Sequence, residues 1–422
     1  MSSTLESPQE TILAPLDAAN LEKLGVVSKV SGGKRKISSS TWSLVSTTST
    51  PFTSSSEDEQ TIEIPEVLRS KETYIFLGLS EKLATILWKR WLNIDPDDRG
   101  PDGPISFLSL AETIVACHNE DLWCINDPWI NYITALGFSD EIAAAICDPK
   151  HDSIRFTASA KFWLLDTLNL RWRSLQDLQD KSRSRLRKAQ SKKADTSEAD
   201  TSVAIRGGGD QAMNPNFVPG STILWRGSDN RYVQNLIHPI TGEVDMYRMR
   251  ALWPNDFGSI LKGGSGYYFS PQKAVALKYA AFARKRSESS ATSLVRIEIP
   301  NSILEKYKPV LIEHDTSEMW RIVVWHSRQL RTIPKAYSHL KSAAVLIGPI
   351  CRSENTAIEK LATWKDITNG HIMMVEKEVW NENENVYESR SRRGIQYVFN
   401  GDEIQLDLET NCKWELQSCS YI

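Results

Sequence analysis

The spacing of apolar residues changes near residue 218, and this change limits the folds that the chain can adopt. Before it, apolar residues recur at the three- and four-residue spacing of a helix, as in EKLATILWKRWL and SDEIAAAICD. Ser139 opens the second of these segments as a typical helix cap, followed by an acidic first turn. After it, short apolar or alternating runs follow one another, which is the pattern of strands. The sequence therefore predicts two different kinds of domain in one chain.

The chain has 422 residues, which is enough for two or three domains. Its first part is rich in Ser, Thr, Glu and Pro and too polar to bury a core, and a strongly basic run, KSRSRLRKAQSKK, precedes the change at 218. We predict a multidomain protein with an N-terminal all-α module and a C-terminal α+β domain. The predicted boundaries are a disordered tail (1–65), a helical module (66–180), a basic and polar linker (181–217), the α+β domain (218–410) and a C-terminal tail (411–422).

Within 218–410 the pattern predicts seven strands and two helices. Few strict strand–helix–strand repeats occur, so we expect a mixed or mostly antiparallel sheet. One predicted helix is PQKAVALKYAAFARKR, with Pro271 at its first position, and the other is ENTAIEKLATW. The predicted strands are 221–227, 265–270, 293–304, 320–328, 343–350, 371–379 and 394–399.

Composition excludes several classes of function. The net charge of −3 gives no argument for nucleic-acid binding, and the six cysteines follow no zinc-ligand spacing. No apolar run approaches the ~18 residues of a membrane span, and the polar N-terminus does not resemble a secretory signal. We therefore expect reduced thiols and a cytosolic or nuclear protein. The basic run is typical of a nuclear localisation signal, and a solvated helix extension explains it equally well.

Three short segments carry the groups from which a ligand site could be built. In LWRGSD, Arg226 at the end of a strand offers fixed donors, and the following Gly allows close approach of a backbone. In GYYFSPQKAVALKYA, Tyr268 and Tyr279 could face each other across a slot for a flat ligand, although two core aromatics would explain them as well. In RRGIQYVF, Gln396 lies early in a strand, where its side chain could hold a sugar hydroxyl.

These segments resemble the ADP-ribosyltransferase superfamily, in its histidine–tyrosine–glutamate/aspartate/glutamine branch. That branch contains the poly(ADP-ribose) polymerases and a poorly characterised set of bacterial and fungal domains. Arg226, Gly227 and Ser228 stand where the branch has HGS or HGT, residues 266–280 align without gaps to its two-tyrosine segment, and Gln396 stands at its third motif. NDFGS, WRIVVWHSR and LIGPI resemble, in the same order, further segments of the poorly characterised set.

The resemblance implies a fold of two small packed sheets with NAD, as a substrate, in the cleft between them. By the resemblance, nicotinamide lies between Tyr268 and Tyr279, and its carboxamide bonds the backbone of Gly227. Arg226 contacts the adenosine ribose, and Gln396 reaches the nicotinamide ribose. Ser228 completes the first motif as a further cofactor-binding residue. Tyr268 and Gln396 are thus the implied catalytic residues, and no metal is implied.

Three departures from the family pattern weaken the expected chemistry. Arg226 replaces a histidine and adds permanent charge. Ala276 replaces a serine that helps to bind nicotinamide, and Gln396 replaces a glutamate and removes a negative charge. Loss of one such electrostatic group often costs about 3 kcal/mol in a barrier. We therefore expect mono-ADP-ribosyl transfer or slow NAD cleavage rather than chain elongation.

Three functions stay open at this point. The first is an NAD-dependent mono-ADP-ribosyltransferase with an unknown protein or small-molecule acceptor. The second is a catalytically degenerate module that binds NAD or ADP-ribose. The third is an accessory or scaffold protein of a fungal pathway, such as one for a specialised metabolite.

Overall fold

A computed structural model divides the chain into two compact units. Unit 1 comprises residues 1–113 and 168–217, and unit 2 comprises 114–167 and 218–422. The predicted helical module 66–180 is therefore wrong as a single body, because its middle part belongs with the C-terminal domain. The structure describes residues 10–38, 61–99, 105–191, 218–233, 236–238, 241–249, 256–261, 266–287, 292–313, 318–381 and 386–419.

The helices in these ranges are distributed over both units. They are α1 (Pro15–Lys23), α2 (Lys71–Phe76), α3 (Glu81–Asn93), α4 (Phe107–Ala116), α5 (Trp129–Ala135), α6 (Asp140–Ile146), α7 (Asp152–Arg155), α8 (Ala160–Ser191), α9 (Asn230–Val233), α10 (Lys273–Ser287), α11 (Asn301–Tyr307), α12 (Met319–Arg328) and α13 (Asp402–Asn411).

The strands are shorter and lie mainly in unit 2. They are β1 (Lys34–Ser38), β2 (Thr61–Pro65), β3 (Ser221–Asp229), β4 (Tyr267–Phe269), β5 (Thr292–Pro300), β6 (Val310–Leu311), β7 (Val345–Pro349), β8 (Met374–Asn381), β9 (Val386–Arg393), β10 (Ile395–Phe399) and β11 (Lys413–Ser418).

Unit 1 contains a two-stranded sheet as well as helices, but this sheet lies before the predicted helical module 66–180, whose described elements are helices. β1 and β2 pair antiparallel, and their inward side chains, Ile37 and Ile64, are buried in one cluster with Ile12, Leu13 and Leu175. The prediction of a disordered tail over 1–65 is therefore wrong for 10–38 and 61–65, because these segments carry enough apolar residues to join a core. Its Ser/Thr-rich centre, 39–60, lies outside the described residues.

Two further predicted boundaries are also wrong. α8 continues through 181–191 of the predicted linker, where Ser182 is fully buried and donates to Asp17 (2.5 Å), and Arg185 pairs with Asp17 (2.7 Å). The remainder of that linker, 192–217, lies outside the described residues. The predicted C-terminal tail contains β11, which pairs antiparallel with β5 over its whole length.

Unit 2 contains a three-stranded sheet in the order β11–β5–β3 and a four-stranded sheet in the order β4–β10–β7–β6. All of these strand pairs are antiparallel except β6–β7, which is parallel. The sequence had predicted a mixed or mostly antiparallel sheet. A two-residue bridge joins the sheets: Trp225 N–H donates to Ser270 O (2.7 Å), and Ser270 N–H donates to Trp225 O (2.8 Å). One buried cluster contains Leu224 and Ile297 from the first sheet and Phe269 and Phe399 from the second.

Two of the predicted elements of 218–410 are wrong. WRIVVWHSR, predicted as a strand, lies in helix α12. Its run of β-branched and aromatic residues favours a strand by local propensity, whereas the structure buries seven of the ten residues of α12 as a helix. ENTAIEKLATW, predicted as a helix, contains only a short 3₁₀ turn at Ile358–Lys360. The other predicted strands overlap β3, β4, β5, β7, β8 and β10, although α11 follows β5 directly.

The predicted helix caps have mixed outcomes. The Ser139 side chain accepts from Ile142 N–H, as its sequence context predicted. Helix α10 begins at Lys273, two residues after the expected Pro271.

Within the ranges listed above, no helix is both long enough and apolar enough to cross a membrane.

Helix α10 packs directly on strand β3 at Gly227. A Cβ atom on this residue would lie 1.7 Å from the carbonyl oxygen of Ala276 and 2.8 Å from the nitrogen of Ala280. Both are backbone atoms of α10, so no side-chain rotation would relieve the clash. The glycine is therefore required for the approach of a helix, whereas the sequence suggested the approach of a ligand.

We predict that G227A will destabilise the protein by about 3 kcal/mol, because α10 must move away from β3. G394A is the matched control, since its Cβ would have only ordinary contacts, the nearest at 3.4 Å. We expect the control to unfold within about 1 kcal/mol of wild type in urea. Equal stability of the two variants would contradict the packing of α10 on β3.

Candidate functional site

Tyr268 and Gln396 lie on the same face of the four-stranded sheet. Tyr268 is paired with Val398, and Gln396 is two residues before Val398 on β10, so the alternation of side chains places all three on one face. Tyr268 and Val398 pack against Phe257 in a buried cluster on that face. The second and third motifs of the sequence are therefore brought together by the sheet.

The first motif lies on β3, which is an edge strand of the three-stranded sheet. Because Trp225 directs its backbone groups to Ser270, the alternation of an antiparallel strand directs the N–H and C=O of Gly227 to the same edge, away from β5. Gly227 can therefore offer one donor and one acceptor to a carboxamide. The neighbouring Ser228 is half-buried and is opposite Ser293 on β5.

Tyr279 is on α10, and its hydroxyl donates to Thr157 Oγ1 (3.3 Å). Burial raises the pKa of Tyr279 to about 12, and the charges that act on its hydroxyl are those of Asp256, Arg328 and Arg226. The phenol is therefore neutral at physiological pH and lies close to all three groups. Whether its ring faces that of Tyr268 across a slot stays a prediction.

Arg226 points from β3 into the part of unit 2 near Tyr279. Its Nη1 donates to the carbonyl oxygen of Met249 (2.6 Å). Burial lowers the pKa of Arg226 to about 10, and the charge of Asp166 opposes this effect. The side chain is still a cation at neutral pH, so the site has a permanent positive charge where the family pattern has a histidine.

A buried ion pair holds Gln396. The Asp256 carboxylate accepts from Arg328 Nη2 (2.8 Å) and Nε (3.2 Å) through Oδ1, and from Gln396 Nε2 (2.8 Å) and Cys351 N (2.7 Å) through Oδ2. Arg328 Nη2 also donates to the carbonyl oxygen of Thr157 (2.7 Å). Burial alone would lower the pKa of Arg328, and the Asp256 carboxylate outweighs it, so the pKa lies above its usual value.

Two residues of this network lie in sequence motifs described above, where they had no predicted role. Asp256 begins the buried part of NDFGS, and Arg328 ends WRIVVWHSR, so both were visible as parts of motifs. Thr157 had no such signal, because it lies more than a hundred positions before Tyr279 in a segment predicted as a separate module. Glu318 and Glu376, two acidic residues of the same part of the chain, are both exposed.

Glu359 is the buried carboxylate that the sequence did not single out. Both of its oxygen atoms are buried, and neither accepts a hydrogen bond from another described residue. Burial raises the pKa of Glu359 to about 7, while Arg328 opposes the rise and Asp121 and Asp256 add to it. The carboxyl group therefore holds its proton until close to neutral pH.

No group of His, Cys, Asp and Glu in the described parts of the chain has the arrangement of a metal site. A cavity of about 340 Å³ opens elsewhere in unit 2, lined by Asp127, Pro128, Trp129, Ile130, Asn131, Cys147 and Arg155. It contains none of the residues that the sequence selected for a site, so the polar network around Asp256 is the stronger candidate.

Comparison with models of known protein families gave no match, and comparisons with curated proteins and with solved structures gave none either. The resemblance to ADP-ribosyltransferases thus rests on the residues of this chain alone. Those residues supply a donor–acceptor edge, a neutral phenol, a guanidinium and an amide in one unit.

We predict that E359Q will flatten the pH dependence of stability. The folded-state pKa of about 7 lies above the ordinary value of 4.5, so the contribution of Glu359 to stability is greatest below pH 4.5 and is lost as the pH rises through 7. From pH 5 to pH 8 we expect a loss on the order of 2 kcal/mol that E359Q does not show. Thermal unfolding at the two pH values measures it.

The matched control is E318Q, which removes a carboxylate at an exposed position before α12. This variant should follow the wild type at both pH values. A parallel fall in the stability of E359Q and wild type would show that the Glu359 carboxyl is ionised without cost.

Proposed function

We propose that unit 2 binds NAD and transfers single ADP-ribose units to an acceptor, slowly and without chain elongation. The observation that carries the proposal is the shared sheet face of Tyr268 and Gln396, beside the free edge of β3 at Gly227. In the family that the sequence resembles, these are the positions that hold nicotinamide and its ribose.

In this proposal each group has a role that its chemistry permits. The N–H and C=O of Gly227 bind the carboxamide of nicotinamide, and the rings of Tyr268 and Tyr279 enclose the pyridinium. Arg226 contacts the adenosine ribose, and Gln396 accepts a hydrogen bond from a hydroxyl of the nicotinamide ribose. The bond between the ribose and nicotinamide breaks, with its electron pair leaving on nicotinamide. The acceptor then bonds to the ribose carbon and loses a proton.

The expected slowness follows from charge. Bond cleavage builds positive charge on the ribose, and Gln396 is neutral. The nearest carboxylate on the same network is Asp256, but Arg328 already neutralises it at 2.8 Å. Such a paired carboxylate stabilises a developing cation less than a free one.

A second candidate is a module that binds NAD or ADP-ribose without turnover. The observation in its favour is that the nitrogen of Gln396 is fully engaged, at 2.8 Å from Asp256 and 3.2 Å from the carbonyl oxygen of Pro349. A third-motif residue that is fixed in this way can still hold a hydroxyl but contributes no charge to a transition state.

We place the protein in the cytosol or nucleus, where NAD is available and thiols stay reduced. All six cysteines are free, and Cys124, Cys351 and Cys419 are buried. The acceptor is a protein or small molecule with a nucleophilic group.

We predict that the full-length protein binds NAD in calorimetry and releases nicotinamide slowly, and that Y268A weakens NAD binding by tenfold or more. Loss of one aromatic ring from a stacked site costs about 1–3 kcal/mol, which corresponds to this range. The full chain is required, because a fragment that begins at residue 218 would lack residues 114–167 of the same unit.

Y247A is the matched control, since Tyr247 is 66% exposed and lies outside the network. It should bind NAD as wild type does. A folded full-length protein without measurable NAD binding would remove both candidate functions, while binding without nicotinamide release would favour the second.

A further inference from the structure

We propose that Asp256 is a positioning residue, which orients the side-chain amide of Gln396 so that its oxygen atom faces the ligand. The inference rests on the proposed function only where it names the ligand. The orientation itself follows from the hydrogen bonds of the network.

The two groups that contact the Gln396 amide nitrogen can only accept hydrogen bonds. These are the Asp256 carboxylate (2.8 Å) and the carbonyl oxygen of Pro349 (3.2 Å). If the amide were rotated by half a turn, its oxygen would face two acceptors and both contacts would become repulsive. Chemistry therefore fixes which end of the amide points inward.

The oxygen end of the amide has no hydrogen-bond partner among the described residues. Gln396 is only 6% exposed, yet its Oε1 accepts no bond from a described residue and is not one of the buried unpaired side-chain atoms. The atom is therefore not completely buried, and it lies on the sheet face that also carries Tyr268. The site thus presents an acceptor at the third-motif position.

Asp256 is itself held in place and unavailable to a ligand. Its two oxygen atoms accept four hydrogen bonds, from Arg328, Cys351 and Gln396, and the residue is 3% exposed. It acts on the cleft through Gln396. An acceptor at this position selects a ligand that donates, such as a sugar hydroxyl, and disfavours a phosphate oxygen.

The test exchanges the positions of the carboxylate and the amide. In D256N, Arg328 draws the oxygen of the introduced amide toward itself, so the nitrogen of that amide faces Gln396. The Gln396 amide must then turn and present a donor outward. We expect D256N to weaken NAD binding about five- to tenfold, because one acceptor is lost.

In Q396E two carboxylates adjoin, and we expect NAD binding to weaken as the pH rises from 6 to 8. In the double variant D256N/Q396E, the new amide at 256 donates to the carboxylate at 396, which again presents an oxygen outward. The bonds from Cys351 N–H and to the Pro349 carbonyl oxygen are lost in D256N and in the double variant alike, so their cost cancels when these two variants are compared. Size and total charge are conserved. We expect its NAD affinity to return to within about threefold of wild type.

The recovery in the double variant separates positioning from a general effect on folding, since two harmful changes would otherwise add. Additive losses in the double variant, or wild-type affinity in D256N, would overturn the inference while leaving NAD binding by the wild type intact. Thermal unfolding of each variant shows that it is folded.

A second measurement needs no folded D256N variant and no NAD. With ¹⁵N-labelled glutamine, the side-chain N–H signals of Gln396 are those lost in Q396E. In the wild type both protons should exchange with solvent at least tenfold more slowly than those of exposed glutamines. Exchange at the exposed rate would overturn the inference, whatever the outcome for NAD.

Discussion

The buried ion pair between Asp256 and Arg328 is the interaction on which the candidate site depends. It connects the turn at Asp256, helix α12, strand β10 through Gln396, and the segment at Thr157. Removing one partner of a buried pair leaves an uncompensated charge, which typically costs about 3–5 kcal/mol. Here each of the two Asp256 carboxylate oxygens accepts two hydrogen bonds, so the hydrogen-bonding capacity of the buried carboxylate is well satisfied.

The same pair decides what the site can do with charge. A carboxylate stabilises a developing cation only if its negative charge is not already neutralised by another group. The charge of Arg328 cancels most of the electrostatic potential of Asp256. Glu359 does not replace it, because burial keeps this carboxyl protonated until close to neutral pH. Near pH 7 the charge of Asp256 is thus neutralised by Arg328, and Glu359 is partly protonated. The hydrogen-bond pattern of the network therefore contributes more to ligand binding than its net charge.

Local patterns in the sequence predicted most strands of unit 2 and the order of the three motifs. This is because hydrophobic periodicity and turn residues specify secondary structure within short segments. They failed for α12, because its β-branched and aromatic residues favour a strand locally and only packing in the core makes them helical. They also failed for residues 114–167, which are helical but belong to unit 2. Contacts such as Tyr279 with Thr157 join positions 122 apart, and no local signal specifies them.

Gly227 shows why motif residues alone do not separate a binding domain from an inert one of the same fold. The glycine is needed because α10 lies against it, with the Ala276 carbonyl where a Cβ would be. A protein that had lost its ligand would still require it. The side-chain amide of Gln396 is different, because its hydrogen bonds to Asp256 and to the carbonyl oxygen of Pro349 explain how it is turned but use only its nitrogen. They leave its oxygen as an acceptor that no described residue uses, and this acceptor is the part of the motif that a ligand could use.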